Sequence, residues 1–217
     1  MIGDIAHVCN RGVEKQKIFL GRSYYERFVD NLYLLNNVDG KIRTEKNFYT
    51  SNKIKERNKL VEIFKWSLMP NHYHLLLYEL VDGGIVEFVK RVGNAFTKYF
   101  NIRQDGKRSG YLFQDHAKIV PVITDRHFLY IPFYLDINPL ELFYPERRSI
   151  PKHLSNKAID FLKNYEWSSF KDYYSNGHHS SVINKELFYE TFDKKPDSYL
   201  KELLDLSTCD VDEFTYL

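Results

Sequence analysis

Apolar and polar positions alternate, or recur at helical spacing, along most of this chain, and they predict an ordered series of elements. Ile5-Ala6-His7-Val8-Cys9 reads as a short strand, ended by Asn10-Arg11-Gly12. Ser23-Tyr24-Tyr25-Glu26 has the form of a capping box. It opens a helix whose apolar face is Tyr25, Phe28, Leu32 and Leu35, closed by the turn residues 36–40. Two strand-like runs follow, Leu60–Leu68 and His72–Leu77, with Pro70-Asn71 between them as a turn, so the unit is an antiparallel hairpin. Asp82-Gly83-Gly84 breaks the chain before a second helix. Its stripe is Ile85, Phe88, Val89, Val92, Ala95, Phe96, Tyr99 and Phe100, with Lys90, Arg91 and Lys98 largely off it.

Beyond the turn at 105–110, Tyr111–Val120 reads as a strand. Thr124-Asp125 caps a third helix through Tyr130 and Tyr134 to Asn138-Pro139, and Pro132 predicts a kink or break within it. A Pro-containing connection leads to a helix at 157–164 and then to Tyr165-Glu166-Trp167-Ser168-Ser169-Phe170, whose Trp reads as an anchor for a C-terminal extension. His178 and His179 lie in a Gly/Ser/Asn loop and receive no ligand role. The order strand, helix, strand, strand, helix, strand, plus a further helix, predicts an α+β protein with the split βαβ arrangement of a ferredoxin-like antiparallel sheet. We divide the chain at 145: residues 1–145 form the sheet-bearing domain, and 146–217 an extension packed on it with an acidic tail.

With 217 residues, the chain can bury one sizeable core. Its composition is that of a globular protein. No apolar run reaches the length of a membrane span and the N-terminus lacks signal-peptide regions, so we expect a cytoplasmic, nucleoid-associated protein. Cys9 and Cys209 are too few and too far apart for a disulfide framework or zinc knuckle. The net charge of +2 conceals a strong asymmetry. Residues 41–60 carry seven Lys or Arg against two Glu, residues 90–118 carry seven against two Asp, and residues 186–217 carry nine acidic groups against three Lys. Basic segments with interleaved Phe and Tyr suit a nucleic-acid backbone and unstacked bases, although each cluster alone also suits a solvated face.

The chemistry centres on the hairpin. Side chains alternate along a strand, so His72 and His74 share one face, about 7 Å apart along the backbone, and Tyr73 faces the other way. Two imidazoles so placed can share one divalent ion. The string Pro70-Asn71-His72-Tyr73-His74-Leu75-Leu76-Leu77 resembles the HUH motif of single-tyrosine transposases, in particular the REP-associated tyrosine transposases and their relatives in the insertion-sequence transposase family. Further resemblances follow in order: Val8-x-Asn10-Arg11-Gly12, Arg108-Ser109-Gly110-x-Leu112-Phe113-Gln114 with Lys118 four residues on, Tyr134-x-x-x-Asn138-Pro139, and the Trp167-Ser168-Ser169 string. They cover roughly residues 5–175. The chain departs from the family's usual Gly-Arg-Phe-Lys with Asp115-His116-Ala117-Lys118, and from its Val-Arg-Ala-Gly after Asn-Pro with Leu140-Glu141-Leu142-Phe143.

The resemblance implies an HUH endonuclease palm. It implies that His72, His74 and Asn138 hold Mg²⁺ or Mn²⁺, and that Tyr134 cuts single-stranded DNA through a 5′-phosphotyrosine linkage. The expected partner is hairpin-bearing single-stranded DNA, with no membrane and no small-molecule cofactor. Its expected contacts are Arg11, Lys15, Lys53, Lys55, Arg57, Lys90, Arg91, Lys107, Arg108, Gln114 and Lys118. A monomer is favoured, with a helix-swapped homodimer as the other arrangement. Two other classes fit the same residues: a DNA-hairpin-binding protein without turnover, and a metal phosphodiesterase with water as nucleophile.

Overall fold

The computed structural model describes residues 1–40, 57–104, 108–145 and 155–207. Four strands form one antiparallel sheet in the order β2-β3-β1-β4: β1 (Ile5–Arg11), β2 (Val61–Met69), β3 (His72–Glu79) and β4 (Lys118–Pro121). Helices α1 (Arg22–Leu34) and α2 (Gly84–Arg103) make the two crossovers of a split βαβ sheet. The expected α+β, ferredoxin-like architecture is therefore the observed one.

Period-two alternation in the strands decides which residues meet which layer. Ala6, Val8, Tyr73, Leu75 and Leu77 face α1 and α2, where they join Phe28, Leu32, Phe88, Val92 and Phe96 in the larger core. Leu76 faces the opposite layer, built from α3 (Asp125–Ile137) and from α4 (Leu140–Phe143), α5 (Ser155–Asn164), α6 (Phe170–Tyr174), α7 (Lys185–Thr191) and α8 (Pro196–Ser207). Ile131, Phe133, Leu135, Phe170, Phe188 and Tyr199 fill that second core. Helices α5 to α8 are thus packed on the same side of the sheet as α3, while Val182 and Ile183 reach round to the first core.

Strand β2 would be a bare edge. Trp167–Ser169 cover it: Leu68 N–H donates to the Trp167 carbonyl (2.8 Å) and Ser169 N–H to the Trp66 carbonyl (2.9 Å). The Trp167 ring stacks on Tyr25 at 4.6 Å. A register shift between Ile63 and Lys65 adds one residue to β2, so Phe64 and Lys65 both turn towards the second core, and alternation resumes with Trp66 facing the first.

Three local expectations differ. Helix α1 begins at Arg22 with Gly21 at its N-cap, so the capping box at Ser23 is not made; Glu26 instead pairs with Arg22 at 2.8 Å. The strand expected over 111–120 is only Lys118–Pro121, because Leu112 and Phe113 turn into the first core and Phe113 makes a single bridge to Gly12. Helix α3 runs without a break through Pro132, which is buried. Its N-terminus is as expected, with the Thr124 hydroxyl accepting from His127 N–H at 3.2 Å. No described helix is long and apolar enough to cross a membrane.

Candidate metal and nucleophile site

The site sits at the open end of the central strands. Strand β1 carries His7, Cys9 and Arg11 on the face that β3 uses for His72 and His74, and the register sets Cys9 opposite His74 and Arg11 opposite His72. The end of β1 is held against the β2–β3 turn by Gly12, whose N–H donates to the Asn71 carbonyl at 2.8 Å. A Cβ at Gly12 would lie 2.4 Å from the Gln16 carbonyl oxygen, so a larger residue would push this end of the strand away.

The two histidine rings lie 5.0 Å apart, edge to face. Helix α3 delivers Tyr134 edge-on to His74 at 5.5 Å and to His7 at 5.7 Å. One turn later the helix ends at Asn138, whose amide touches both His72 and Tyr134. The four residues come from two segments sixty positions apart in the chain and meet because α3 packs on β2 and β3.

Electrostatics prepare these groups differently. Burial, with Arg11 adding to it, lowers His72 to about 4. Burial and the neighbouring His7 push His74 well below the ordinary imidazole value. Both rings are therefore neutral at pH 7 and carry free lone pairs, the form that binds metal. Burial raises the Tyr134 phenol to about 12, with Glu141 contributing. Its hydroxyl is therefore held as a neutral phenol at pH 7.

A divalent ion fits the residues present. His74 Nε2 and Asn138 Oδ1 are both buried without a hydrogen-bond partner, an arrangement that costs free energy unless a ligand satisfies them. His72 Nδ1 lies 2.7 Å from Asn71 Oδ1, which accepts its proton and leaves the ring's lone pair on Nε2. Two imidazoles and an amide oxygen suit a borderline to hard ion. A softer set, His7, Cys9 and His74, has ligand atoms within 4.8 Å of one another. Burial raises the Cys9 thiol, which disfavours the thiolate that such a site needs.

No protein-family model and no curated protein sequence matches the chain. Among solved structures it is similar to one described as a REP-associated tyrosine transposase bound to a REP hairpin, at 12% identity and TM-score 0.46, with 78% of each chain covered.

An open groove of about 440 Å³ runs past the site. Tyr134, Asn138, His72 and His74 line it, together with Arg11, Gln114, Lys118, His116 and Glu141. Of the residues expected to contact DNA, Arg11, Gln114 and Lys118 stand in this groove. Lys15 is exposed, and its carbonyl accepts from Asn71. Arg108 donates to Gln16 Oε1 and to the Tyr111 carbonyl. Lys90 and Arg91 lie on α2, across the sheet from the histidines, and Arg91 is bonded to Glu87 and the Asn37 carbonyl. Arg57 turns inward, 3.5 Å over the Tyr33 ring, and donates to the Tyr33 and Ser181 carbonyls. Lys53, Lys55 and Lys107 fall outside the described residues.

His7 escaped the sequence reading. It is 3% exposed and its Nε2 lies 2.8 Å from His74 Nδ1. The signal available was its parity with Cys9 on β1, but which strand β1 would join was not written locally.

Proposed function

We propose that this chain is a metal-dependent single-stranded DNA endonuclease and strand transferase of the HUH transposase type, acting on hairpin-bearing DNA. The observation that carries this reading is the meeting of Tyr134, His72, His74 and Asn138 at the edge of one groove. A divalent ion, Mg²⁺ or Mn²⁺, held by His72, His74 and Asn138 would polarise the scissile phosphate. Tyr134 Oη forms a bond to phosphorus, the bond from phosphorus to the 3′ oxygen breaks, and the phenolic proton leaves as the released 3′-hydroxyl gains one. The phosphotyrosine retains the energy of the phosphodiester, so a second 3′-hydroxyl can displace the tyrosine and rejoin the strand.

Arg11 and Lys118 place positive charge on the rim, where a backbone phosphate would pass. Replacing both with Gln should reduce the slope of log affinity against log salt by about 0.7 for each charge removed. An unchanged slope in fluorescence-anisotropy titrations would remove them from the DNA path.

The test of the reading is a panel of end-labelled hairpin-bearing single strands incubated with Mn²⁺ and run on denaturing gels. We expect a protein-linked product with the wild-type chain, and none with His72→Ala or in chelator. Cleavage without a protein-linked product would assign the attack to water. Binding without cleavage under every metal tried would assign a DNA-binding role without turnover.

A further inference from the structure

A further histidine, His7, meets this site from β1, a strand that supplies neither the tyrosine nor any of the three proposed metal ligands. His7 and His74 stack with their planes 15° apart and centroids 5.1 Å apart. Their facing nitrogens, His7 Nε2 and His74 Nδ1, are at hydrogen-bond distance, 2.8 Å. The outward nitrogens, His7 Nδ1 and His74 Nε2, are each buried without a partner. His7 is on β1 because β1 pairs with β3, and it lies diagonally across from His74, which faces Cys9.

Two neutral imidazoles joined nitrogen to nitrogen share one proton in that bond, and there are two ways to place it. If His7 donates from Nε2, then His74 must carry its own proton on Nε2, which is then no ligand. If His74 donates from Nδ1, its Nε2 keeps a lone pair facing the site. His72 shows the same device with a different partner: Asn71 Oδ1, 2.7 Å from His72 Nδ1, can only accept, so that ring too presents Nε2.

Resting on the reading that His74 is a metal ligand, we infer that His7 is a positioning residue: it accepts the Nδ1 proton of His74 and holds His74 Nε2 in its metal-binding tautomer. Outer partners of this kind fix both the ring orientation and the tautomer of a ligating histidine. Here the partner is itself a histidine, and it stands edge-on to Tyr134. The same ring therefore braces a metal ligand and the tyrosine above it.

The experiment uses the full chain. Long-range ¹⁵N NMR of the imidazoles in metal-free wild type should show His74 protonated on Nδ1. His7→Phe keeps a stacked ring but removes the acceptor; Mn²⁺ affinity by calorimetry should fall about 10–100-fold. His7→Gln restores an acceptor and should recover most of that loss, and melting curves establish that each variant folds. The inference is overturned if wild-type His74 carries its proton on Nε2, or if His7→Phe binds Mn²⁺ as tightly as wild type. It is equally overturned if the Co²⁺-loaded chain shows a thiolate charge-transfer band, which would make His7, Cys9 and His74 the ligands. A wild-type chain with no Mn²⁺ affinity would refute the functional reading and this role together. Wild-type affinity with an unaffected His7→Phe would refute this role alone.

Discussion

Tyr134→Phe should abolish the covalent DNA adduct and lower cleavage by on the order of 10⁵-fold, the scale of losing a nucleophile. The phenol ring packs edge-on against His74 and His7, and Phe retains that packing, so the fold should survive. Tyr130 is the rival, one turn earlier on α3. It is 5% exposed, and its ring lies 6.3 Å from that of Tyr134. Tyr134 is in ring contact with His74 and in contact with Asn138, so Tyr130→Phe should leave the adduct intact. Mass spectrometry of the trimmed adduct decides between them, and a nucleotide on Tyr130 would defeat the assignment. Because Tyr134 meets His74 within one chain, we propose that each monomer holds a complete site. A mixture of His72→Ala and Tyr134→Phe chains should then stay inactive; restored cleavage would show a site shared between subunits.

The largest expected effect on stability lies beneath the same helix. Asp136, two residues after Tyr134, accepts from Lys65 Nζ and from the Tyr199 hydroxyl, each at 2.6 Å. Both members of the ion pair are essentially inaccessible to solvent. The ammonium also stands over Tyr173 at 4.3 Å, Phe188 at 4.6 Å and Tyr199 at 4.7 Å. Burial lowers Lys65 and raises Asp136, while their mutual attraction opposes both shifts. Such a pair gives little net stability over apolar residues of the same volume, but breaking it strands a charge. Lys65→Met should therefore cost about 3–5 kcal/mol and lower Tm by roughly 10 °C for a chain of this length. The double variant Lys65→Met/Asp136→Leu should regain most of the loss. A double variant less stable than the single one would mean that the pair contributes strongly by itself and that the desolvation argument fails here. The three partners tie β2, α3 and α8 together, which is how a C-terminal helix reaches the helix that carries Tyr134.

What could be read along the chain were features written in local spacing. Alternation put His72 and His74 on one face of β3, and the 3.6-residue period put Phe88, Val92, Phe96 and Phe100 in the core. Thr124 announced the start of α3, and four-residue spacing put Tyr134 and Asn138 on one side of it. What tertiary structure decided depends on partners remote in sequence. His7 reaches His74 only because β1 pairs with β3, across 67 positions. The added residue in β2 turns Lys65 to the face where Asp136 lies, 71 positions away, and no alternation count foresees it. Leu112 and Phe113 leave the expected strand because the first core takes them. Likewise the basic residues divide by which side of the sheet their element occupies: Arg11 and Lys118 reach the groove, while Arg91 and Arg57 are bonded elsewhere. Periodicity is a property of neighbours in the chain; register, bulges and layer assignment are properties of contacts, and at this site the contacts complete what the spacing began.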